Sequence, residues 1–257
     1  MSNRQMVKEY FFLVGLPRAG NTLLGSLINQ NTNVCLTANS VLMDVLWHLD
    51  DIKRNNHYYK NFPDEKSFNN MTENIFRNYY SDYKANKIID RGTWGVKENL
   101  SLLKENVVKK PKFIILYRSV LECLASFSEA GYDTDEWADY YMDKDEGLIG
   151  MGLSGIRNII TTEEEHMLVH YADLVTKPIE TIKRIFTFIE EDYIPIKIKD
   201  FEQFKVNDTY YDDTVLVAPL HTIRTKEIKY EKIDVTKYLS TRTIAKYKDS
   251  DVCGRLQ

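Results

Sequence analysis

GLPRAGNT, residues 15–22, stands directly behind the apolar run YFFLV (10–14). The stretch EYFFLVGL (9–16) is rich in Phe and Val and breaks off at Gly-Leu-Pro, the pattern of a buried parallel strand leaving its sheet. From Thr22 onward, TLLGSLINQN sets Leu23, Leu24, Leu27 and Ile28 on one face at helical periodicity, so the glycine-rich turn is expected to open onto a helix. Such a turn points several backbone N–H groups at one spot, and the helix dipole adds partial positive charge there. An anion site is the expectation. The spacing G-x-x-x-x-G-x-T is that of a phosphate loop, but Asn21 fills the slot where such loops carry lysine, and Arg18 stands in the middle. A plain glycine turn at a helix start is the competing reading.

Working outward, KFIILY (112–117) predicts a second strand. SVLECLASF follows at once, and Ser119 with Glu122 three residues on predicts a capping box on a helix running to about Ala130. MLVHYADL (167–174) reads as a third strand, and PIETIKRIFTFIEE (178–191) as an amphipathic helix with proline near its first turn. Strands alternating with helices predict an α/β fold built on a parallel sheet. The polar, aromatic-rich segments 44–90 and 131–162, with weak helical patterns in VLMDVLWHLDDI and EWADYYMD, read as helical cap insertions over the sheet edge. With no internal repeat, low-complexity tract or linker, residues 1–257 are expected to form a single domain. The final forty residues mix basic and apolar positions and yield no assignment.

A chain of 257 residues with 43% apolar and 12% aromatic content can bury a substantial core. A formal net charge of −4 argues against a generally basic surface for nucleic acid or anionic membrane, so any polyanion site must be local. Cys35, Cys123 and Cys253 lie far apart and form no C-x-x-C pair, which suggests neither a disulfide framework nor a cysteine zinc site and fits a reducing cytoplasm. YFFLVGL, about seven residues, is too short for a membrane span and lacks the layout of a signal peptide. A soluble cytoplasmic protein is expected.

In nucleotide hydrolases and kinases the loop lysine reaches the β- and γ-phosphates, and a second strand ends in an aspartate for Mg²⁺. Here Asn21 supplies no charge, and FIILY ends in Arg118 where the acidic residue would stand. A loop that keeps its amides, gains Arg18 and loses its metal partners suits a less charged phosphate group transferred without metal. Arg118 presents a fixed fork of donors suited to phosphate, and Ser126 can add a hydroxyl from the same side of the following helix. Taken singly, Arg118 also reads as an ion pair at a strand end and Ser126 as a small packing residue.

These residues resemble the sulfotransferase family, which uses 3′-phosphoadenosine 5′-phosphosulfate (PAPS). GLPRAGNTLL resembles the family's 5′-phosphosulfate loop, which would make Pro17, Arg18, Ala19, Gly20, Asn21 and Thr22 cofactor-binding, although Asn21 departs from the usual Ser or Thr. YRSVLECLASF (117–127) resembles the 3′-phosphate motif, in which an arginine at a strand end and a serine eight residues later bind the phosphate, as Arg118 and Ser126 are spaced. HYADLVTKP (170–178) resembles the segment whose tyrosine, here Tyr171, contacts the adenine. The resemblance implies a three-layer, P-loop-like fold, PAPS as donor with adenosine 3′,5′-bisphosphate (PAP) as product, no metal, and transfer to a hydroxyl or amine of a small-molecule or carbohydrate acceptor. Arg224 in HTIR (221–224) falls where family members bring a late basic loop over the nucleotide.

TWGVKENLSLL (93–103) resembles the region in which the family carries a lysine on the transferring sulfuryl group, with Lys97 at that position. A positioned ammonium there stabilises charge developing on the bridging oxygen. The family's proton acceptor has no counterpart: Asn99 stands where a catalytic histidine would be, and TANS, with Asn39 and Ser40, where other members place a glutamate. Glu98 is the nearest candidate base, and reads equally as a solvent-exposed carboxylate at a helix start; His48, His57, Asp44 and His221 are weaker candidates. His166 and His170, four apart on a strand, make no chelating pair, TTEEEH is a solvated turn, and the many tyrosines are as readily core as acceptor pocket. Two other functions remain: a P-loop small-molecule kinase, disfavoured by the missing lysine and aspartate, and a non-catalytic nucleotide-binding module. Acceptor identity and oligomeric state do not follow from the residues.

Overall fold

The computed structural model describes residues 8–215, 220–223, 227–230 and 232–252. Strand β1 (Glu9–Gly15) occupies the middle of a five-stranded, all-parallel sheet and leads through the 15–20 turn into α1 (Asn21–Ile28). The chain then steps to the sheet edge as β2 (Val34–Asn39) and passes through α2 (Leu42–Asn55), α3 (His57–Asn61), α4 (Glu65–Glu73) and α5 (Ile75–Tyr79). It returns as β3 (Lys87–Arg91), between β2 and β1. After α6 (Lys97–Asn106) it crosses to the other side of β1 as β4 (Phe113–Tyr117), followed by α7 (Val120–Ser128), α8 (Asp135–Met142) and α9 (Leu148–Thr161). The last sheet strand, β5 (His166–His170), is followed by α10 (Tyr171–Thr176) and α11 (Pro178–Phe188). A short antiparallel hairpin of β6 (Lys205–Val206) and β7 (Thr209–Tyr210) and the helix α12 (Thr241–Tyr247) complete the described chain.

The strand order is β2-β3-β1-β4-β5, so the direction of winding reverses between β1 and β4. In open parallel sheets ligands bind outside the carboxyl ends of the strands at such a reversal. β4, FIILY, is buried along its whole length, as a run of apolar residues covered on both faces must be. The parallel α/β sheet expected from strand–helix alternation, and the three-layer, P-loop-like architecture that the resemblance implies, are the fold observed.

Several local expectations need correction. β2 and β3 lie within stretches where no strand was expected, because their runs VCLTAN and KIIDR are short and carry polar or charged residues. The segment 44–90 therefore contributes a sheet strand as well as helices. The segment 131–162 does more than cover an edge: Ile149, Leu153, Ile156 and Ile159 of α9 are buried, and Gly152 passes so close to Leu16 that a Cβ would lie 3.0 Å from its Cδ2. MLVHYADL divides, with the strand ending at His170 and a helix starting at Tyr171. α7 ends at Ser128, and its N-cap Ser119 makes no side-chain cap. The backbone N–H of Val120 instead donates to Asp251 Oδ1 (2.8 Å), which also accepts from Tyr117 Oη (2.8 Å). A carboxylate brought from the chain end meets the positive end of the helix better than a local hydroxyl does. α12, in the stretch that the residues alone left unassigned, sits on α8 through Asp139, which accepts from Arg242 (2.9 Å), Lys246 (2.8 Å) and Tyr247 (2.6 Å). The hydrogen bonds from Lys246 and Tyr247 hold the Asp139 carboxyl well below the usual carboxylate range.

Candidate active site

The turn after β1 carries backbone strain. Arg18 adopts φ 64 and Gly20 φ 95, both in the left-handed region, where a non-glycine residue costs about 1–2 kcal/mol. Ala19 is buried and closes the turn by donating its N–H to Leu16 O (3.2 Å). The first intrahelical bond of α1 runs from Leu24 N–H to Gly20 O (2.9 Å), and no side chain caps the preceding amides. The N–H groups of the first turn, around Asn21 and Thr22, are those that an α-helix leaves without an internal partner. Pro17 has no N–H to offer. Asn21, 4% exposed, turns its amide inward: Nδ2 donates to Leu16 O (2.8 Å), and Oδ1 is buried without a hydrogen-bond partner. It therefore does not reach outward as a loop lysine does.

The second strand exit meets the first. Arg118, 8% exposed at the end of β4, donates from Nη1 to the carbonyl of Arg18 (3.0 Å) and from Nε to Glu122 Oε2 (3.0 Å). Its guanidinium lies 4.3 Å from the centroid of the Tyr171 ring. That ring in turn abuts Gly20, where a Cβ would come within 2.8 Å of Tyr171 Cδ2. Arg18 reaches across with its side chain, donating from Nε to Ser126 Oγ (3.1 Å) and from Nη1 to Leu220 O (2.8 Å). Arg18, Gly20, Arg118, Ser126 and Tyr171 thus form one contiguous cluster at the β1/β4 reversal. In one respect it differs from the expected division of labour: the Arg18 guanidinium sits with Ser126 rather than apart from it.

A third strand exit also ends in arginine. Arg91, at the end of β3, donates from Nη1 to Tyr211 Oη (3.2 Å), and Gly92 N–H returns to Leu13 O (3.3 Å) on β1. Tyr211 stacks on His221 with ring centroids 3.8 Å apart and planes 7° from parallel. The His221 ring Nδ1 lies 2.6 Å from Asp213 Oδ1, and the His221 backbone N–H donates to Asp213 Oδ2 (2.9 Å). Arg91, Tyr211 and Asp213 were not singled out from the sequence, although IIDRG and ILYRS share the pattern of a strand closing on arginine.

Lys97 opens α6 just beyond this third exit, and Lys97 and Glu98 are both exposed. Asn99 is buried instead, bridging Trp47 Nε1 (2.8 Å) and the carbonyl of Thr93 (2.9 Å). Arg224 lies outside the described residues. His166 and His170 occupy opposite ends of β5, and no group of three His, Cys, Asp or Glu among the described residues is disposed to hold a metal. No helix among those residues is long and apolar enough to cross a membrane.

At the end of β2, and sharing Tyr211 with the third strand exit, opens a cavity of about 280 Å³ walled by Thr37, Ser40, Tyr79, Tyr80, Tyr83 and Tyr211, among others. None of the described residues lining it is charged. Behind Ser40 and Tyr80 lies Asp90, 0% exposed, which accepts from Tyr80 Oη (2.5 Å), Trp94 Nε1 (3.0 Å) and Ser40 Oγ (3.0 Å). Burial outweighs these donors and pushes the Asp90 carboxyl up to about 6.

The sequence from 11 to 195 matches the model of the sulfotransferase family. The chain belongs to that family. No curated protein matches the sequence. Among solved structures, the sulfotransferase domain of the Synechococcus PCC 7002 olefin synthase superposes with a TM-score of 0.56 at 15% identity, over 98% of each chain. The sulfotransferase domain from the curacin biosynthetic pathway gives 0.55 at 12% identity, over 95% of this chain and 98% of the other. Mouse sulfotransferase SULT7A1, solved in complex with PAP, gives 0.54 at 11% identity, over 97% and 87%. At these identities the likeness is one of fold, and family membership makes this chain a sulfotransferase by the match to its sequence.

Proposed function

We propose that this sulfotransferase uses PAPS as donor and transfers the sulfuryl group to a hydroxyl or amine of a small-molecule or carbohydrate acceptor, without a metal, in the cytoplasm. The observation that carries the reading is the meeting of two arginine-bearing turns, from β1 and β4, around Ser126 and Tyr171. The residues fit the donor. Backbone amides at the start of α1 suit the 5′-phosphosulfate oxygens, the Arg118 fork with Ser126 suits a ribose 3′-phosphate, and the Tyr171 ring offers a face for the adenine. PAPS supplies an activated sulfuryl group; the chain binds and orients it and stabilises the charge that develops at the bridging oxygen. The PAP-bound state of the mouse sulfotransferase with the same fold supports the choice of nucleotide.

The uncharged, tyrosine-rich cavity supports an uncharged acceptor with a ring rather than a polyanionic glycan. Buried free thiols at Cys35 and Cys123, held up at about 12 by desolvation, accord with a reducing compartment. The test is turnover of PAPS, in chelator, against a panel of phenols, alcohols, amines and neutral glycosides, with PAP release followed directly. Transfer to at least one of them is expected; turnover that requires Mg²⁺ and ATP instead would point to a kinase, and PAP binding without transfer to any would point to a non-catalytic module. Lys97→Ala is expected to lower kcat about 100-fold while PAP affinity changes by less than about 3-fold, since a contact made to developing charge acts on the transition state. Equal kcat in variant and parent excludes Lys97 from that role.

A further inference from the structure

We infer that His221 is the proton acceptor for the incoming hydroxyl, with Asp213 as its positioning residue; the inference rests on the sulfotransfer reading above. Three independent contacts tie His221 to the donor-loop arginine on one side and to a wall residue of the cavity, Tyr211, on the other. The preceding carbonyl, Leu220 O, is held by Arg18 Nη1 at 2.8 Å, which fixes the His221 backbone beside the phosphate-loop arginine. One ring face lies flat on Tyr211, which lines the cavity and is itself tied by its hydroxyl to Arg91 on β3. Asp213 grips the same residue twice, with one oxygen on the backbone N–H and the other 2.6 Å from ring Nδ1.

A carboxylate on Nδ1 selects the neutral tautomer that carries its proton there, so the lone pair falls on Nε2, and it stabilises the imidazolium formed when Nε2 takes a proton. That pairing is what a general base needs: a fixed ring, a defined basic nitrogen and a counter-charge behind it. Glu98, exposed in the first turn of α6, has no such support among the described residues. In the step itself the acceptor O–H proton passes to His221 Nε2 while the oxygen forms a bond to sulfur. The bond from sulfur to the phosphate oxygen breaks, PAP leaves with that electron pair, and the proton on Nε2 passes to solvent.

The experiment compares His221→Gln with the parent on two acceptors of similar size, benzyl alcohol and 4-nitrophenol, with PAP binding measured by calorimetry. A base is needed for the alcohol and dispensable for a phenol already ionised at the assay pH. The expected result is a fall of about 100-fold or more in kcat with the alcohol, less than about 5-fold with the phenol, and PAP affinity within about 2-fold of the parent. Imidazole added to His221→Ala should restore part of the lost alcohol turnover. A second readout needs no acceptor: ¹⁵N spectra of the ring in the PAP complex should report the Nδ1–H tautomer at neutral pH. An Nε2–H tautomer, equal losses on both acceptors, or an acceptor-selective loss in Glu98→Gln that His221→Gln lacks, overturns the assignment while the sulfotransfer reading stands. Failure of the parent chain both to bind PAP and to transfer from PAPS defeats that reading, and the base with it.

Discussion

Arg118→Ala is expected to weaken binding of PAP about 100-fold or more while changing that of AMP by less than about 3-fold. Truncating one partner of a buried charge-assisted pair costs about 2–5 kcal/mol, and each 1.4 kcal/mol is roughly tenfold in affinity. The selectivity follows from geometry. Arg118 leaves β4 over the Tyr171 ring and touches the phosphate loop through the Arg18 carbonyl, whereas the amides at the start of α1 form a donor set that a 5′-phosphate can use without contacting Arg118. Lysine should not restore the difference, because the side chain works here as a planar fork: Nη1 is on the Arg18 carbonyl, Nε on Glu122, and the guanidinium stacks on an aromatic ring. The substitution leaves the Glu122 carboxylate, 17% exposed at its side chain, without its cation, so some loss of stability accompanies it. Calorimetry below the variant's thermal transition separates the two effects. PAP and AMP weakened in equal measure would remove Arg118 from the 3′-phosphate and return it to the role of a structural ion pair.

Much of this site is legible in the sequence because its parts sit at strand exits. Three apolar runs disclose β1, β4 and β5, the first closing on glycine and the second on arginine, and the loop and Arg118 are read directly off the residues that follow those two. What escapes is whatever depends on charge being neutralised at a distance. β3 contains Lys87, Asp90 and Arg91 in five residues, which no pattern of apolar runs marks as an inner strand. Lys87 is accommodated only because Glu9 lies 3.2 Å away on the neighbouring strand and Ile189 O accepts at 2.9 Å. The same holds for the cap of α7, supplied by Asp251, and for the pairing of Asp213 with His221. Asp251 and Asp213 stand in stretches of sequence that mark no element, and Glu9, though it opens β1, gives no local sign of its partner on β3. Arg18 is the converse: local spacing names it, but only the fold brings its guanidinium to Ser126 and ties the 220–221 segment to the loop.

Asp90→Ala is expected to remove about 3–6 kcal/mol of folding stability, a large part of the 5–15 kcal/mol typical of a native domain. Two donors in the buried interior, Tyr80 Oη and Trp94 Nε1, lose their acceptor, and each such buried donor costs about 1–3 kcal/mol when unmet, while the half-buried Ser40 Oγ loses the same acceptor at the cavity wall. Asp90→Asn should cost far less, because its carbonyl still accepts from Trp94 and its amide can donate to a hydroxyl that turns to receive it. The pair also carries a pH signature. Burial raises the folded-state carboxyl to about 6, above the ordinary value of 3.8. Between those values the unfolded chain has released the proton while the folded chain still holds it. Unfolding therefore releases a proton, and the contribution of Asp90 to stability declines as pH rises from about 4 to about 6 and is level beyond. Denaturant titrations across that range should show the slope in the parent and its loss in Asp90→Asn; a slope of the opposite sign, lost in the same variant, would mean that the three donors outweigh burial and hold the carboxyl low. Because Tyr80 and Ser40 are at once partners of Asp90 and walls of the cavity, Asp90→Ala should also raise KM for an aromatic acceptor while leaving PAP affinity within about 2-fold, provided binding is measured where the variant is folded.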